Sequence, residues 1–401
     1  MSTTPRPSSG ATGPRPAHPP PPVVVDTRQK LAALLERARP EPVIGVDTES
    51  NSLFAYFHRV CLIQISLPGC DYVIDPLAVD VTPLEELFAS EGCQKVFHAA
   101  ENDILGLKRD YSFTFANIFD TMLAARILGW PQAGLAAILA DRYAVQLNKS
   151  LQRADWGRRP LDRALLAYAQ LDTHYLLALR SQQEEDLRAR GRWEEALEGF
   201  ARLPQVEWVE KPFDPDSFWS LPGARDLGPT GLAILQQVFL WREEQARRED
   251  RPPFKIIDQR TLVEISRQQP GDMAALRLVA GMSGGQVQRY GAALLQAIGR
   301  GRQASPPTPP KRSNNGGNGR PDPKTVERYD ALRAWRTERA AQRGVDPDVI
   351  LTNDQLMTIA RQVPTSLEEL AAAHVMGPWK QQEYGAAILS LLRDGQGQRR
   401  P

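Results

Sequence analysis

Cysteine is nearly absent. Cys61, Cys70 and Cys93 are the three in 401 residues, none forms a Cys-x-x-Cys pair, and an odd number cannot pair off completely. This argues against a disulfide scaffold and suits a reducing compartment, so a cytoplasmic location is expected. Histidine is as sparse: His18, His58, His98, His174 and His374 fall without ligand spacing. A zinc centre is therefore not expected, and carboxylates are left to hold any metal. No apolar run approaches the roughly 20 residues of a membrane helix, and the start of the sequence lacks the apolar core of a signal peptide. Net charge is missing too. With 49 Lys and Arg against 48 Asp and Glu, the formal charge is +1, so any nucleic-acid surface must come from local segregation of charge.

What is present is an ordinary soluble composition, 42% hydrophobic and 24% charged, in a chain too long for one core. Residues 1–22 are Pro-, Ser-, Gly- and Thr-rich and are expected to be a disordered tail. A helix is expected over Asp26 to Ala38. Short β-rich runs at Val43 to Val46, Val60 to Leu67 and Tyr72 to Ile74 suggest an antiparallel meander. A helix near Pro83 to Ser90 and a strand at Gln94 to Phe97 follow. Helices then dominate, at 103–109, 121–128 and 134–143, with one long helix from Leu161 to about Ala189. The pattern predicts an α/β domain with a mixed sheet over residues 23–204, then a connector at 205–227.

Beyond it the chain realigns with itself at an offset of 94: Trp241, Arg242, Leu262, Ile265 and Tyr290 recur as Trp335, Arg336, Leu356, Ile359 and Tyr384. Two copies of a small all-α module are predicted, at 228–304 and 321–395. A flexible, mildly basic linker is expected at 305–320 and a disordered end at 396–401. The first copy has 11 Lys or Arg against 7 Asp or Glu and the second 9 against 11, so phosphate contact should favour the first. Trp241 and Trp335 sit in helical stripes and read as core.

The chemistry lies in carboxylates. In Val43-Ile44-Gly45-Val46-Asp47-Thr48-Glu49-Ser50 an apolar run ends in two acids spaced i and i+2, which a strand throws to one face. Two adjacent anions repel unless a cation lies between them, and hard oxygen ligands favour Mg²⁺ or Mn²⁺. A solvated turn is the plainer alternative. After the strand ending at Phe97 a helix begins, placing Asp103 in a first turn, with Glu101 a competitor that periodicity does not exclude. Tyr168 and Asp172 are i and i+4 on one face of an apolar helix. Asp75 reads as a turn residue before Pro76, and Asp120 as the N-cap of a helix.

The order Asp47-x-Glu49, Asp103, Tyr168-x-x-x-Asp172 resembles the three exonuclease motifs of the tyrosine-bearing branch of the DEDD superfamily. The words Leu-Ile-Gln-Ile-Ser (62–66), Val-Phe-His-Ala-Ala (96–100), Phe-Asp-Thr (119–121), Asp155-Trp156 and Arg159-Pro160-Leu161 are similar to the bacterial ribonuclease D family. The 94-residue repeats resemble the helicase-and-RNase-D C-terminal (HRDC) domain. The resemblance implies a ribonuclease H-like sheet in which Asp47, Glu49, Asp103 and Asp172 ligate two divalent ions, Mg²⁺ or Mn²⁺, and Tyr168 orients the attacking water. It implies a 3′→5′ exoribonuclease that releases nucleoside 5′-monophosphates, with tRNA precursors bearing 3′ extensions as substrate and no organic cofactor. A 3′→5′ DNA exonuclease and a non-catalytic nucleic-acid-binding protein on the same fold are the rival readings.

Overall fold

The structure, a computed structural model, describes residues 19–309 and 321–397. The expected N-terminal tail up to residue 18, residues 310–320 of the expected linker and the last four residues lie outside the described part. No helix among the described residues is long and apolar enough to cross a membrane.

The first half is a six-stranded mixed sheet of order β1-β4-β3-β2-β5-β6. The strands are β1 (Val23–Val25), β2 (Val43–Ser50), β3 (Val60–Leu67), β4 (Cys70–Ile74), β5 (Gln94–Phe97) and β6 (Ile118–Asp120). The meander β2-β3-β4 is antiparallel as expected, and β1, β5 and β6 extend it in parallel. Every residue of β3 is buried, so both faces of the sheet are covered. On one face Ile63 and Ile65 join Leu31, Leu34 and Phe88 from helices α1 (Arg28–Ala38) and α2 (Glu85–Ala89). On the other, Leu62 and Val73 pack with Trp156, Tyr168 and Ala169.

Three differences from the sequence reading have physical causes. β2 does not stop at Val46 but runs to Ser50, because pairing with β3 continues through Glu49↔Leu62 before the register shifts between Glu49 and Ser50. β1 and β6 have three residues each, too short for a periodic signal. The single long helix from Leu161 to Ala189 is two, α6 (Arg163–His174) and α7 (Leu176–Ala189), hinged at Tyr175. The break lets the helices follow the sheet twist, α6 crossing β2, β3 and β4 while α7 lies on β2 and β5.

Between them lie α3 (Glu101–Tyr111), α4 (Thr121–Leu128) and α5 (Leu135–Tyr143), and α8 (Trp193–Arg202) closes this half. The first helical copy is α9 (Pro229–Arg248), α10 (Pro253–Ile256), α11 (Gln259–Gln268), α12 (Met273–Arg277) and α13 (Gly284–Gln303). The second is α14 (Pro323–Arg343), α15 (Pro347–Ile350), α16 (Asn353–Gln362), α17 (Leu367–Ala372) and α18 (Pro378–Gly397). The sequence repeat is a structural one. Arg242 donates to the Ile257 carbonyl at 3.1 Å and Arg336 to the Leu351 carbonyl at 2.8 Å, while Trp241–Tyr290 and Trp335–Tyr384 meet edge-on at 5.8 and 5.7 Å. Both tryptophans pack in helical cores, as read from their stripes.

Candidate active site

Alternation along β2 puts Asp47 and Glu49 on the face covered by α6. The helix comes close because residue 45 is glycine: a Cβ there would lie 3.0 Å from the Thr173 carbonyl oxygen and 3.4 Å from Leu176 Cβ. Asp172, the residue before Thr173, thereby reaches the strand. Carboxylate oxygens of Asp47, Glu49 and Asp172 all lie within 4.8 Å of one another.

The register of α6 is held by a buried polar cluster. Asp71 accepts from Ser66 Oγ at 2.6 Å and Gln170 Nε2 at 2.6 Å, and lies 2.7 Å from His174 Nδ1. The Ser66 and Thr173 hydroxyls are 2.7 Å apart. Gln170, Thr173 and His174 thus pin the helix to β3 and β4 on either side of Asp172.

Asp103 enters from the first turn of α3, buried, whereas Glu101 is exposed. The geometry therefore separates the two acids that periodicity could not. The turn leading into α3 is fixed by Asp120, which caps α4 through Met122 N and Leu123 N as expected. It also accepts from Ala99 N at 3.1 Å and Ala100 N at 2.9 Å. Ala99 has φ of 65°, a left-handed conformation that these bonds hold in place. Asp103 Oδ1 accepts two hydrogen bonds from Thr48, the residue between Asp47 and Glu49.

Tyr168, one turn before Asp172, packs with its ring 6.2 Å from the fully buried Trp156. The Trp156 loop is held by Arg159, which forms a two-point pair with Asp75 (2.6 and 2.7 Å) and donates to the carbonyls of Trp156 and Cys61. Asp75, read as a turn residue, does accept from Leu77 N, but it also anchors this loop. All five candidate residues line one cavity of about 530 Å³, together with His98, Asn102, Lys149 and Gln152.

The electrostatics are those of uncompensated anions. Burial, then the charges of Asp103, Asp172 and Glu49, push Asp47 well above the usual carboxylate range. Glu49 is pushed up to about 9 by burial and then by Asp172 and Asp103. Asp172 rises to about 8 through burial and Asp103, and Asp103 to about 7, mainly through burial and against its bonds from Thr48. Among the described residues, no lysine or arginine contributes to the shift of any of the four. A nearby orphan points the same way. Gln64 sits directly opposite Asp47 on β3, fully buried, with neither its amide nitrogen nor its oxygen bonded among the described residues. Hard oxygen donors crowded together without a counter-charge fit a divalent cation.

Two neighbours went unread at the level of sequence. Thr48 lay hidden between the acids, and its only signal is a β-branched hydroxyl residue at the position the strand turns away from them. His98 was passed over for want of ligand spacing. Thr121 Oγ1 donates its one proton to the Phe97 carbonyl at 3.0 Å, so the 2.9 Å contact with His98 Nδ1 has the imidazole donating. Burial holds His98 down to about 4, so it is neutral, with Nε2 an acceptor.

A 3′-5′ exonuclease family model matches residues 22–188, and an HRDC domain model matches 231–298 and again 326–392. Ribonuclease D of Acidiphilium cryptum is 31% identical over 283 residues, spanning 70% of this chain and 72% of that protein. Ribonuclease D of Gluconacetobacter diazotrophicus is 28% identical over 380 residues, 94% of each. The crystal structure of the catalytic core of RRP6 from Trypanosoma brucei, 28% identical, superposes with a TM-score of 0.63 over 70% of this chain and 79% of that one. With the sheet, the carboxylate cavity and the tandem helical modules in agreement, the chain belongs to the ribonuclease D family and is a hydrolytic 3′→5′ exoribonuclease acting on RNA.

Proposed function

We propose that Asp47, Glu49, Asp103 and Asp172 hold two divalent cations, Mg²⁺ or Mn²⁺, and that with Tyr168 they remove nucleoside 5′-monophosphates one at a time from RNA 3′ ends. The observation that carries this is the convergence of five side chains, from β2, α3 and α6, on one cavity. When bound, such cations supply Lewis-acid charge that favours ionisation of the attacking water and neutralises charge building on the phosphoryl and leaving oxygens.

The chain's own groups do the rest. The four carboxylates, Asp103 and Asp172 buried and Asp47 and Glu49 half-buried, are held by Thr48, Asp120 and the Asp71 cluster and are in place before substrate arrives, so little reorganisation is needed. Tyr168 is held protonated by burial and by the charges of Asp172, Glu49 and Asp47, so it is no base at neutral pH. Its phenol can hold the water in line with the scissile bond, a role set by position. Water oxygen bonds to phosphorus as the water gives up a proton to solvent, the P–O3′ bond breaks, and the leaving oxygen takes a proton from solvent to become the new 3′-hydroxyl. Lys149, on the same cavity wall, offers a positive charge to the phosphate.

The finer reading is maturation of tRNA precursors with 3′ extensions in the cytoplasm, supported by the family and by three free thiols. Digestion of a 3′-extended tRNA precursor beside matched single-stranded RNA and DNA tests it. Stepwise release of 5′-monophosphates from the precursor, stopping near the mature end, is expected. Preference for the DNA strand would replace it with the DNA exonuclease reading.

A further inference from the structure

Two cavities meet at the carboxylates. The second, about 420 Å³, shares Thr48, Glu49, Asn102 and Asp103 with the first and runs on to Ser52, His58, Arg109 and Trp208. Trp208 belongs to the connector, outside every segment matched by the family models, and is 42% exposed despite its size. An indole left open to solvent beside an anionic catalytic cluster calls for a ligand with an aromatic face.

The ring is mounted firmly. Lys108 Nζ donates to the carbonyls of Pro204 and Val206, at 2.7 and 2.8 Å, clamping the connector to α3 just before Trp208. The Arg109 guanidinium lies 5.3 Å from the ring centroid, and is itself fixed by Asp110 through bonds of 2.6 and 2.9 Å. Asp110 in turn accepts from Val60 N at 2.6 Å, tying the assembly to the sheet. The result is an aromatic surface backed by a guanidinium that Asp110 holds and neutralises, of the kind on which single-stranded nucleic acid stacks its bases.

Direction follows from the loop between β2 and β3, which contributes Ser52 and His58 to the cavity. It is joined to the first helical copy: Phe57 N donates to Asp250 at 2.9 Å, Lys255 Nζ lies 3.4 Å over the Phe54 ring, and Tyr56 bonds to Glu243. The loop that walls the second cavity thus abuts the copy richer in arginine and lysine. With a phosphodiester at the residues the two cavities share, its flanking nucleosides fall toward different cavities, and the basic helical copy favours the second for the continuing strand.

We propose that the second cavity carries the RNA strand upstream of the scissile phosphate, with Trp208, backed by the Arg109 guanidinium, stacking a base there. The inference rests on the exonuclease reading above. It assigns the connector a substrate contact that the exonuclease and helical modules do not supply.

The test is a coupling measurement between Trp208 and single bases of a single-stranded oligoribonucleotide. Wild type, Trp208→Ala and Trp208→Phe are assayed on the unmodified strand and on strands abasic at the terminal, second or third nucleotide from the 3′ end. Trp208→Ala should raise KM roughly five-fold or more with little change in kcat, and Trp208→Phe should recover most of the loss. An abasic site at the second or third nucleotide should cost wild type the same factor and cost Trp208→Ala almost nothing. Equal abasic penalties in wild type and Trp208→Ala at every position, or coupling confined to the terminal nucleotide, would overturn the proposal. Cleavage of the unmodified strand by wild type separates either result from a failure of the exonuclease reading itself.

Discussion

Thr48 donates twice to a single oxygen of Asp103, from its backbone N–H at 3.0 Å and its hydroxyl at 2.5 Å. The residue between the two strand acids thus fixes the third, and Oδ1 is occupied while Oδ2 is left for the proposed cation. Thr48→Val keeps shape and β-propensity but removes the hydroxyl. Half-maximal activation should then need on the order of 10- to 100-fold more Mg²⁺, as for other outer-sphere partners of a metal ligand. Metal-titrated activity measures it, and recovery in Thr48→Ser would tie the effect to the hydroxyl.

Stability of the metal-free protein should fall as pH rises. Glu49, Asp172 and Asp103 are raised in the fold to about 9, 8 and 7, from an unfolded value near 4. Groups raised in this way contribute stability that is fully present below about pH 4 and is lost as pH climbs through the folded values. In EDTA, Tm should therefore decline between pH 5 and 9, and Asp47→Asn or Asp172→Asn should raise Tm at pH 8.5. Mg²⁺ should reverse the decline in wild type and release protons on binding. A flat profile with unchanged mutant Tm would remove the electrostatic argument for a cation.

Tyr168→Phe keeps the packing on Trp156 but loses the oxygen proposed to hold water. A drop in kcat on the order of 10²-fold with little change in KM is expected. Because the phenol stays protonated, wild type should show no loss or gain of activity traceable to tyrosine ionisation up to pH 10. A pH–rate profile of both proteins checks this.

The second helical copy is held to the catalytic half by a buried charge. Glu195 is 1% exposed and pairs with Arg343, while Glu198 caps the start of α18 by accepting from Trp379 N and Lys380 N. Arg343→Ala leaves Glu195 buried without its partner, a change that typically costs about 3–5 kcal/mol. Denaturant unfolding should show a loss of that size, while Arg126→Ala at the more exposed pair with Asp348 should cost under about 1 kcal/mol.

Much of this was legible in the sequence because the relevant periods are short and strict. Asp47 and Glu49 share a face by alternation, Tyr168 and Asp172 by helical spacing, and the tandem modules repeat without gaps. What was not legible depends on partners distant along the chain. Nothing local distinguishes Asp103 from Glu101; only the turn set by Asp120 decides which is buried. The hinge at Tyr175 follows from a sheet twist that helical periodicity does not register. Gln64 and Thr48 look like ordinary strand residues until β3 and α3 are placed beside β2. The exposure of Trp208, and the pair joining Glu195 to Arg343 across 148 residues, exist only in the packed molecule.

Most direct of all is anomalous diffraction from a crystal soaked in Mn²⁺. The account predicts two Mn²⁺ peaks in the cavity, with Asp47 coordinating, Glu49, Asp103 and Asp172 around them, and both peaks diminished in Asp172→Asn. Mn²⁺ bound elsewhere, or absent from the cavity at concentrations that sustain cleavage, would contradict it.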